Sequence, residues 1–363
     1  MSKDHPSRRP TQYDVARLAG VSQSAVSKVL NDPASASIPA ETRQRILKAV
    51  EIVGYQPNVL ARSLRVGKTH MLGLIVPDSA NPFFAELGKH MEEAAYRQGY
   101  SVILCNTGGD PDRESFYTDT LLRQQVDGVI FVAGGNQANC LNQALERQIP
   151  VVVVDRDLPD CAVDTVLLDN FQGGLLATRH LLALGHRRIG CIAGPSNVTP
   201  SAERVLGYKA ALGEYGIAVD DALIRQGNFQ LESGWKRAHE ILGQAPRPTA
   251  LFACNDLMAV GALRAAAELG LSVPRDLSVV GFDNIELASY TAPPLTTVAQ
   301  PTDEIGVKAV TLLIERIQDR TLKPRSERLD AALIIRESTG EVQSVRESRV
   351  AEQEYHIRGG DNG

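Results

Sequence analysis

Residues 11–31, Thr-Gln-Tyr-Asp-Val-Ala-Arg-Leu-Ala-Gly-Val-Ser-Gln-Ser-Ala-Val-Ser-Lys-Val-Leu-Asn, spell two short helices joined by a tight glycine turn. Val15, Leu18 and Ala19 give the first helix an apolar stripe, and Val26, Val29 and Leu30 give the second its own. Between them Gly20 permits the turn that a side chain would obstruct. The remaining face of the second helix carries Gln23, Ser24, Ser27 and Lys28, short or flexible hydrogen-bonding groups able to reach base edges when such a helix enters a major groove. An ordinary polar helix face is the alternative for these residues taken alone. A third helix, a basic segment and a sensor-like body downstream favour nucleic acid.

A loop over 32–37 leads to Pro39, where the third helix begins, striped by Ile46, Ala49, Val50 and Val53 and stopped at Gly54. Three small helices can close a core of this size. Tyr55-Gln56-Pro57 breaks the chain, and Asn58 is placed to cap a further short helix over 59–66 with Leu64 between Arg62 and Arg65. A helix that short is marginal in water and forms when something supports it. The net charge of −5 argues against nucleic acid until it is divided, because residues 1–68 carry +6 and the remainder −11. Phosphate neutralisation needs positive charge only where protein meets duplex.

From Met71 onward the pattern becomes short apolar runs alternating with helical stretches. The runs fall at 72–76, 102–105, 129–132, 151–154, 189–193, 250–253 and 279–282, with amphipathic helices such as 86–98, 173–184, 202–215, 233–242 and 257–269 between them. Such alternation implies parallel sheets covered on both faces, in number enough for two doubly wound lobes with a cleft. The expected fold is an all-α helix-turn-helix headpiece plus an α/β sensor of two doubly wound parallel-sheet lobes. In open parallel sheets, ligands bind beyond the carboxyl ends of the strands. Here those ends carry Asp78, Ser79, Asn81, Phe83 and Phe84, then Asp155-Arg156, Asn255-Asp256 and Phe282-Asp283. Asp and Asn also end strands as turn formers, but carboxylates, guanidinium and amide converging together suit a small polar ligand.

Five scattered cysteines lack Cys-x-x-Cys spacing, and seven histidines lack ligand spacing, so neither a disulfide framework nor a metal site is expected. No stretch reads as a signal peptide or a membrane span, which predicts a soluble, cytoplasmic, nucleoid-associated protein. No phosphate-binding glycine loop or nucleophile elbow stands out, so no cofactor and no enzymatic activity are expected.

The ordered segments Tyr13-Asp14-Val15-Ala16, Gly20-Val21-Ser22, Val26-Ser27-Lys28-Val29-Leu30-Asn31, Pro57-Asn58, Ala61-Arg62-Ser63-Leu64, Asn81-Pro82-Phe83-Phe84, Leu184-Gly185-His186, Gly194-Pro195, Asn255-Asp256, Gly281-Phe282-Asp283 and Thr296-Thr297-Val298 resemble the lactose-repressor (LacI) family of bacterial transcription regulators. The resemblance runs from Thr11 to about Thr339. It implies a flexible arm over 1–10, a DNA-binding headpiece over 11–57, a hinge over 58–68, a bilobed effector-binding and dimerisation domain of the periplasmic-binding-protein type over 69–339, and a tail over 340–363. By the same resemblance, two headpieces of a homodimer sit in successive major grooves of a pseudo-palindromic operator. Gln23, Ser24 and Lys28 would read bases with Ser27 beside them, and Thr11, Tyr13, Ser22 and Asn31 would hold phosphates. Ala61, Leu64 and Arg65 would enter the minor groove, with Leu64 as the wedge that bends the duplex.

For the cleft, the resemblance to ribose-type sensors implies that Asn81, Phe83, Phe84, Asp155, Arg156, Arg204, Phe229, Asn255, Asp283 and Gln300 bind a small effector, most simply a pentose or hexose. Carboxylates accept from adjacent hydroxyls, arginines donate, and phenylalanines cover the apolar faces of the ring. A sugar acid stays open, since either arginine can meet a carboxylate. Lys28 stands where arginine is the commoner base reader and the loop over 32–38 is longer than in many relatives, so an operator sequence does not transfer. The polar tail lacks a sustained heptad pattern, which favours a dimer over a tetramer. Competing readings are a cytosolic sugar-binding protein or an enzyme without a DNA role.

Overall fold

The computed structural model describes residues 10–31, 38–56, 68–132, 138–155 and 162–342. The chain divides into two compact units, Met1–Thr69 and His70–Gly363.

The first unit holds α1 (Gln12–Ala19), α2 (Gln23–Asn31) and α3 (Ala40–Val53). Asp14 fixes the start of α1, its carboxylate accepting from the Thr11 backbone N–H at 2.9 Å and hydroxyl at 2.7 Å. Gly20 ends that helix at φ 63°, in the left-handed region where a side chain is costly, and Gly54 ends α3 the same way at φ 66°. Val15, Ala16, Ala19, Val26, Val29, Ile46 and Ala49 form the core, with Leu30, Val50 and Val53 packed around it. One expected core residue is elsewhere: Leu18 is 52% exposed, and Ala16 takes its place. At about 100° per residue, Val15, Ala16 and Ala19 share one arc of α1 and Leu18 falls outside it. The small alanines let α1 approach α3.

The second unit contains two sheets, each of six strands. In lobe 1 the spatial order is β11 (Ser326–Leu329), β5 (Asp164–Leu168), β4 (Val151–Val154), β3 (Gly128–Val132), β1 (Met71–Val76) and β2 (Ser101–Asn106). In lobe 2 it is β12 (Ala332–Ile334), β10 (Thr296–Ala299), β9 (Ser278–Asp283), β8 (Ala250–Ala253), β6 (Ile189–Ala193) and β7 (Ile224–Gln226). All pairings are parallel except β10 with β12. The central strands β3, β4, β6, β8 and β9 are buried throughout, because helices cover both faces. Strands β5, β7, β10, β11 and β12 add to the seven expected. They are short; β7 and β11 are partly exposed edges whose polar residues give no apolar run, and β12 is a three-residue apolar edge too short to stand out.

The covering helices of lobe 1 are α4 (Pro82–Arg97), α5 (Pro111–Arg123), α6 (Ala138–Glu146) and α11 (Thr302–Gln318), and those of lobe 2 are α7 (Asn170–Ala183), α8 (Thr199–Glu214), α9 (Leu231–Leu242) and α10 (Asp256–Glu268). The chain passes between lobes at 168–170, 299–302 and 329–332. Helices α7 and α8 touch backbone to backbone. A Cβ on Gly174 would lie 2.1 Å from the Arg204 carbonyl oxygen, and one on Gly207 2.1 Å from that of Phe171.

Candidate functional site

In the helical unit, α2 presents the residues expected to meet DNA. Ser22 precedes it, and its hydroxyl accepts from the Ala25 N–H at 3.2 Å and lies 2.9 Å from the Ser24 hydroxyl. Gln23, Ser24 and Lys28 are exposed and Ser27 half-buried on the same helix. No acidic residue occupies its first turn, so the positive end of the helix dipole is not offset there. Tyr13 is 63% exposed on α1, whereas the half-buried Thr11 already spends its hydroxyl on Asp14. The side chain of Asn31, and Ala61, Leu64 and Arg65, lie outside the described residues.

In the α/β unit, Asn81, Phe83, Phe84, Asp155, Arg204, Phe229, Asn255 and Asp283 come together around a cleft of about 450 Å³, within the range of small-molecule sites. Arg156 lies outside the described residues. Gln300 does not line the cleft but backs it, donating from Nε2 to Asp283 Oδ1 at 2.7 Å.

Arg204 is the centre of the polar floor, 4% exposed. Its Nε donates to Asn170 Oδ1 at 2.8 Å and its Nη1 to the Cys254 carbonyl at 2.6 Å, with Asp283 Oδ1 at 3.5 Å from the same nitrogen. The guanidinium carbon sits 3.7 Å from the centroid of the Phe282 ring, a cation–π contact that fixes its plane. Asp155 directly follows β4 and Asp283 ends β9, both in backbone conformations that non-glycine residues seldom take, φ 57° and φ 108°. Strain of this kind persists where surrounding structure enforces it, and it clusters at ligand sites. Each carboxylate commits Oδ1 to the protein: Asp155 accepts from Asn170 Nδ2 at 3.2 Å, Asp283 from Gln300. Burial pushes the Asp283 carboxyl up to about 7 against the pull of Arg204 and Gln300. Burial also raises Asp155, with Arg204 and Asn170 opposing it. Behind them Asp256, raised well above its ordinary value by burial and the Asp283 charge, accepts from the Thr297 hydroxyl at 2.6 Å and the Ile285 N–H at 2.9 Å. Asp256 thereby shapes the turn that carries Asp283.

The walls are apolar. Phe83 and Phe84 meet edge to face at 5.1 Å on one side. Opposite them Phe229, itself at φ 65°, lies over Gly194, where a Cβ would come within 2.2 Å of the ring. The two asparagines serve the scaffold as well as the cleft. Asn81 Oδ1 accepts from the Phe83 N–H at 3.1 Å, and Asn255 caps α10 through the Met258 N–H at 3.0 Å while donating to the Phe229 carbonyl at 3.0 Å. Their turn-forming chemistry is therefore real.

The structure adds residues that the sequence alone does not place in the site. Asn228 and Gln230 flank Phe229 and line the cleft, as do Gly108 and Gly109, together with Asp78, one of the strand-end groups expected there. Gln230 Nε2 in lobe 2 donates to Asp78 Oδ2 in lobe 1 at 2.9 Å, spanning the cleft. Adjacency to Phe229 is the available signal for the first pair. Asn170 follows β5, a strand with a polar start, and nothing local marks it. Among the described residues no group of His, Cys, Asp and Glu is placed to hold a metal ion, and no helix is long and apolar enough to cross a membrane. Cys105, Cys140, Cys191 and Cys254 are buried thiols outside any disulfide. What remains is a set of buried hydrogen-bond acceptors and one guanidinium between aromatic walls, equipped to bind a polyhydroxylated ring.

Residues 11–58 match the family of bacterial regulatory proteins named for lacI, and residues 178–339 match the periplasmic binding protein-like domain. The HTH-type transcriptional regulator DegA of Bacillus subtilis is 41% identical over 303 residues, 83% of this chain and 89% of that protein. The transcriptional regulator CelR in complex with cellobiose superposes with a TM-score of 0.71 at 34% identity, covering 91% of this chain and all (100%) of the other. The lac repressor dimer bound to operator and the anti-inducer ONPF superposes with a TM-score of 0.83 at 28% identity, covering 92% and 100%.

Proposed function

The chain belongs to the lacI family of bacterial regulatory proteins, and from that premise we propose that it is a homodimeric, effector-controlled repressor acting on a pseudo-palindromic DNA operator in the cytoplasm. It is a DNA-binding transcriptional regulator. In this reading residues 11–57 are the headpiece, 58–68 the hinge, 69–339 the sensor and 340–363 a tail. Tyr13, Ser22, Gln23, Ser24, Ser27, Lys28 and Asn31 contact the duplex with Thr11 positioning the first helix, and Ala61, Leu64 and Arg65 enter the minor groove.

The observation that carries the effector assignment is the floor of the cleft. Asp155 and Asp283 each keep one oxygen uncommitted to the protein contacts described above, in backbone conformations of the kind that cluster at ligand sites. Paired hydroxyls of a sugar donate to these oxygens, Arg204 and Arg156 donate in return, and Phe83, Phe84 and Phe229 cover the ring faces. CelR, of similar fold, holds cellobiose. A neutral pentose or hexose fits best. The relatives matched are transcriptional regulators, and the cleft is read here as binding its ligand without turnover.

A thermal-shift screen of pentoses, hexoses, disaccharides, sugar acids and purines on the full chain, followed by gel shifts on genomic fragments with each hit, tests the proposal. A ligand that binds only the folded state raises the melting point. The expected result is stabilisation by a neutral sugar that also changes affinity for a specific fragment. A tight purine without any sugar response would reverse the ligand class, and the absence of any fragment surviving nonspecific competitor would sink the operator role.

A further inference from the structure

The first crossover between the lobes runs through Asn170. Strand β5 ends at Leu168 in the sheet of lobe 1, and α7 begins at Asn170 and packs on the sheet of lobe 2. The side chain is 2% exposed. Its amide faces both lobes at once: Nδ2 donates to Asp155 Oδ1 of lobe 1 at 3.2 Å, and Oδ1 accepts from Arg204 Nε of lobe 2 at 2.8 Å. A second Nδ2 contact, 3.4 Å to the Leu168 carbonyl, ties it to the strand it leaves.

We propose that Asn170 is a positioning residue that locks the two lobes in register, because its amide is the joint through which the guanidinium of one lobe and the carboxylate of the other are held at the crossover. The inference rests on the effector-cleft reading above, since Asp155 and Arg204 are also the groups that would meet the ligand. Chemistry restricts the position. The joint must donate towards a carboxylate and accept from a guanidinium, which an amide of this length does from two separate atoms; an ionised carboxylate only accepts, an alkyl group does neither, and a serine or threonine hydroxyl would have to do both from one oxygen on a shorter reach. Removing either bond leaves a buried charged group short of a partner, so the arrangement resists partial disruption. Gln300, at the second crossover, donates from Nε2 to Asp283 of lobe 2, while its buried Oε1 has no partner among the described residues, so it holds one lobe only and Asn170 alone of the two bridges both. A ligand gripping Asp155 and Arg204 therefore pulls on the passage between the lobes and not on a remote wall. Motion of one lobe relative to the other must stretch or rotate this joint.

The test uses the full chain carrying spin labels on non-natural amino acids at exposed positions 97 and 236, one in each lobe, diluted with unlabelled protein, so that the native cysteines stay untouched. Interlobe distances are read by pulsed electron resonance without ligand. The parent is expected to give one narrow distribution. Asn170→Asp keeps the acceptor for Arg204 and sets a second carboxylate against Asp155, and it should add a longer-distance population with circular dichroism unchanged. Combining Asn170→Asp with Asp155→Asn restores a donor opposite an acceptor with the polarity reversed, and should return the narrow distribution. An Asn170→Asp distribution indistinguishable from the parent, or no recovery in the double variant, overturns the proposal. Each sample is then measured again with millimolar D-ribose. A parent that ignores ribose counts against a pentose effector and leaves the ligand-free comparison to decide the role of Asn170.

Discussion

The headpiece and the cleft handle polar side chains in opposite ways. On α2, Gln23, Ser24 and Lys28 stand in solvent on a three-helix core that does not need them. In the cleft, Arg204, Asp155 and Asp283 are buried, with backbone or side-chain partners already engaged before any ligand arrives. A reader of many sequences can vary its exposed contacts at little cost to folding. A sensor that must close around one ligand builds its contacts into the fold, so ligand recognition and stability cannot be changed separately there.

That contrast breaks most visibly at Arg204. Arg204→Ala leaves Asn170 Oδ1 and the Cys254 carbonyl without their buried donor and, among the described residues, Asp283 with Gln300 alone and no opposing charge, and urea unfolding of the sensor is expected to lose about 3–5 kcal/mol, with the effector response gone. A loss under 1 kcal/mol would mean that the cleft is no more integral to the fold than the DNA face. Lys28→Ala should do the reverse. Operator binding is expected to weaken by about 1–3 kcal/mol, with preference relaxed at one symmetric base-pair position and melting temperature unmoved. Titration of operator variants in gel shifts checks both halves.

The third expectation concerns protons. Asp283 is held up to about 7, so below that pH its carboxyl is largely protonated and must release the proton to accept hydroxyl donors. Affinity for a neutral sugar should rise towards a limit of about tenfold per pH unit below pH 7 and level off above it, while a carboxylate effector would show the opposite slope. Calorimetry between pH 5.5 and 8.5 reads the sign, and Asp283→Asn should flatten it. For folding the same shift works against ionisation. Because the folded value lies above the unfolded value of about 3.9, this group's contribution to stability declines as pH rises from about 4 to 7. The smallest effect is expected at Leu18, whose exposure on α1 limits Leu18→Ala to within about 0.5 kcal/mol by chemical denaturation. Ala16→Leu, at the buried position beside it, should cost about 1–3 kcal/mol by overpacking.

Much of this architecture is legible in the sequence alone. Strands buried on both faces announce themselves as apolar runs, which is why β1, β3, β4, β6, β8 and β9 stand out. Edge strands such as β7 and β11 are short and polar, and no periodicity exposes them. The site residues at strand ends are legible because topology sends them to one edge of each sheet. Asn170 and Gln230 are not, since their importance comes from which lobe their partners belong to, a fact that only the path of the chain supplies. Leu18 misleads for a local reason, as three positions on so short a helix define the buried arc only loosely.

The contact of α7 and α8 through Gly174 and Gly207 has a consequence for heredity. Neither position has room for a single methyl group before it meets the opposing main chain, so both tolerate essentially no allele but glycine. A missense change at either would force apart the two helices that begin with Asn170 and carry Arg204, silencing the response to effector from a codon that never contacts it. Selections for regulators deaf to their signal should return these two glycines alongside the residues of the cleft itself.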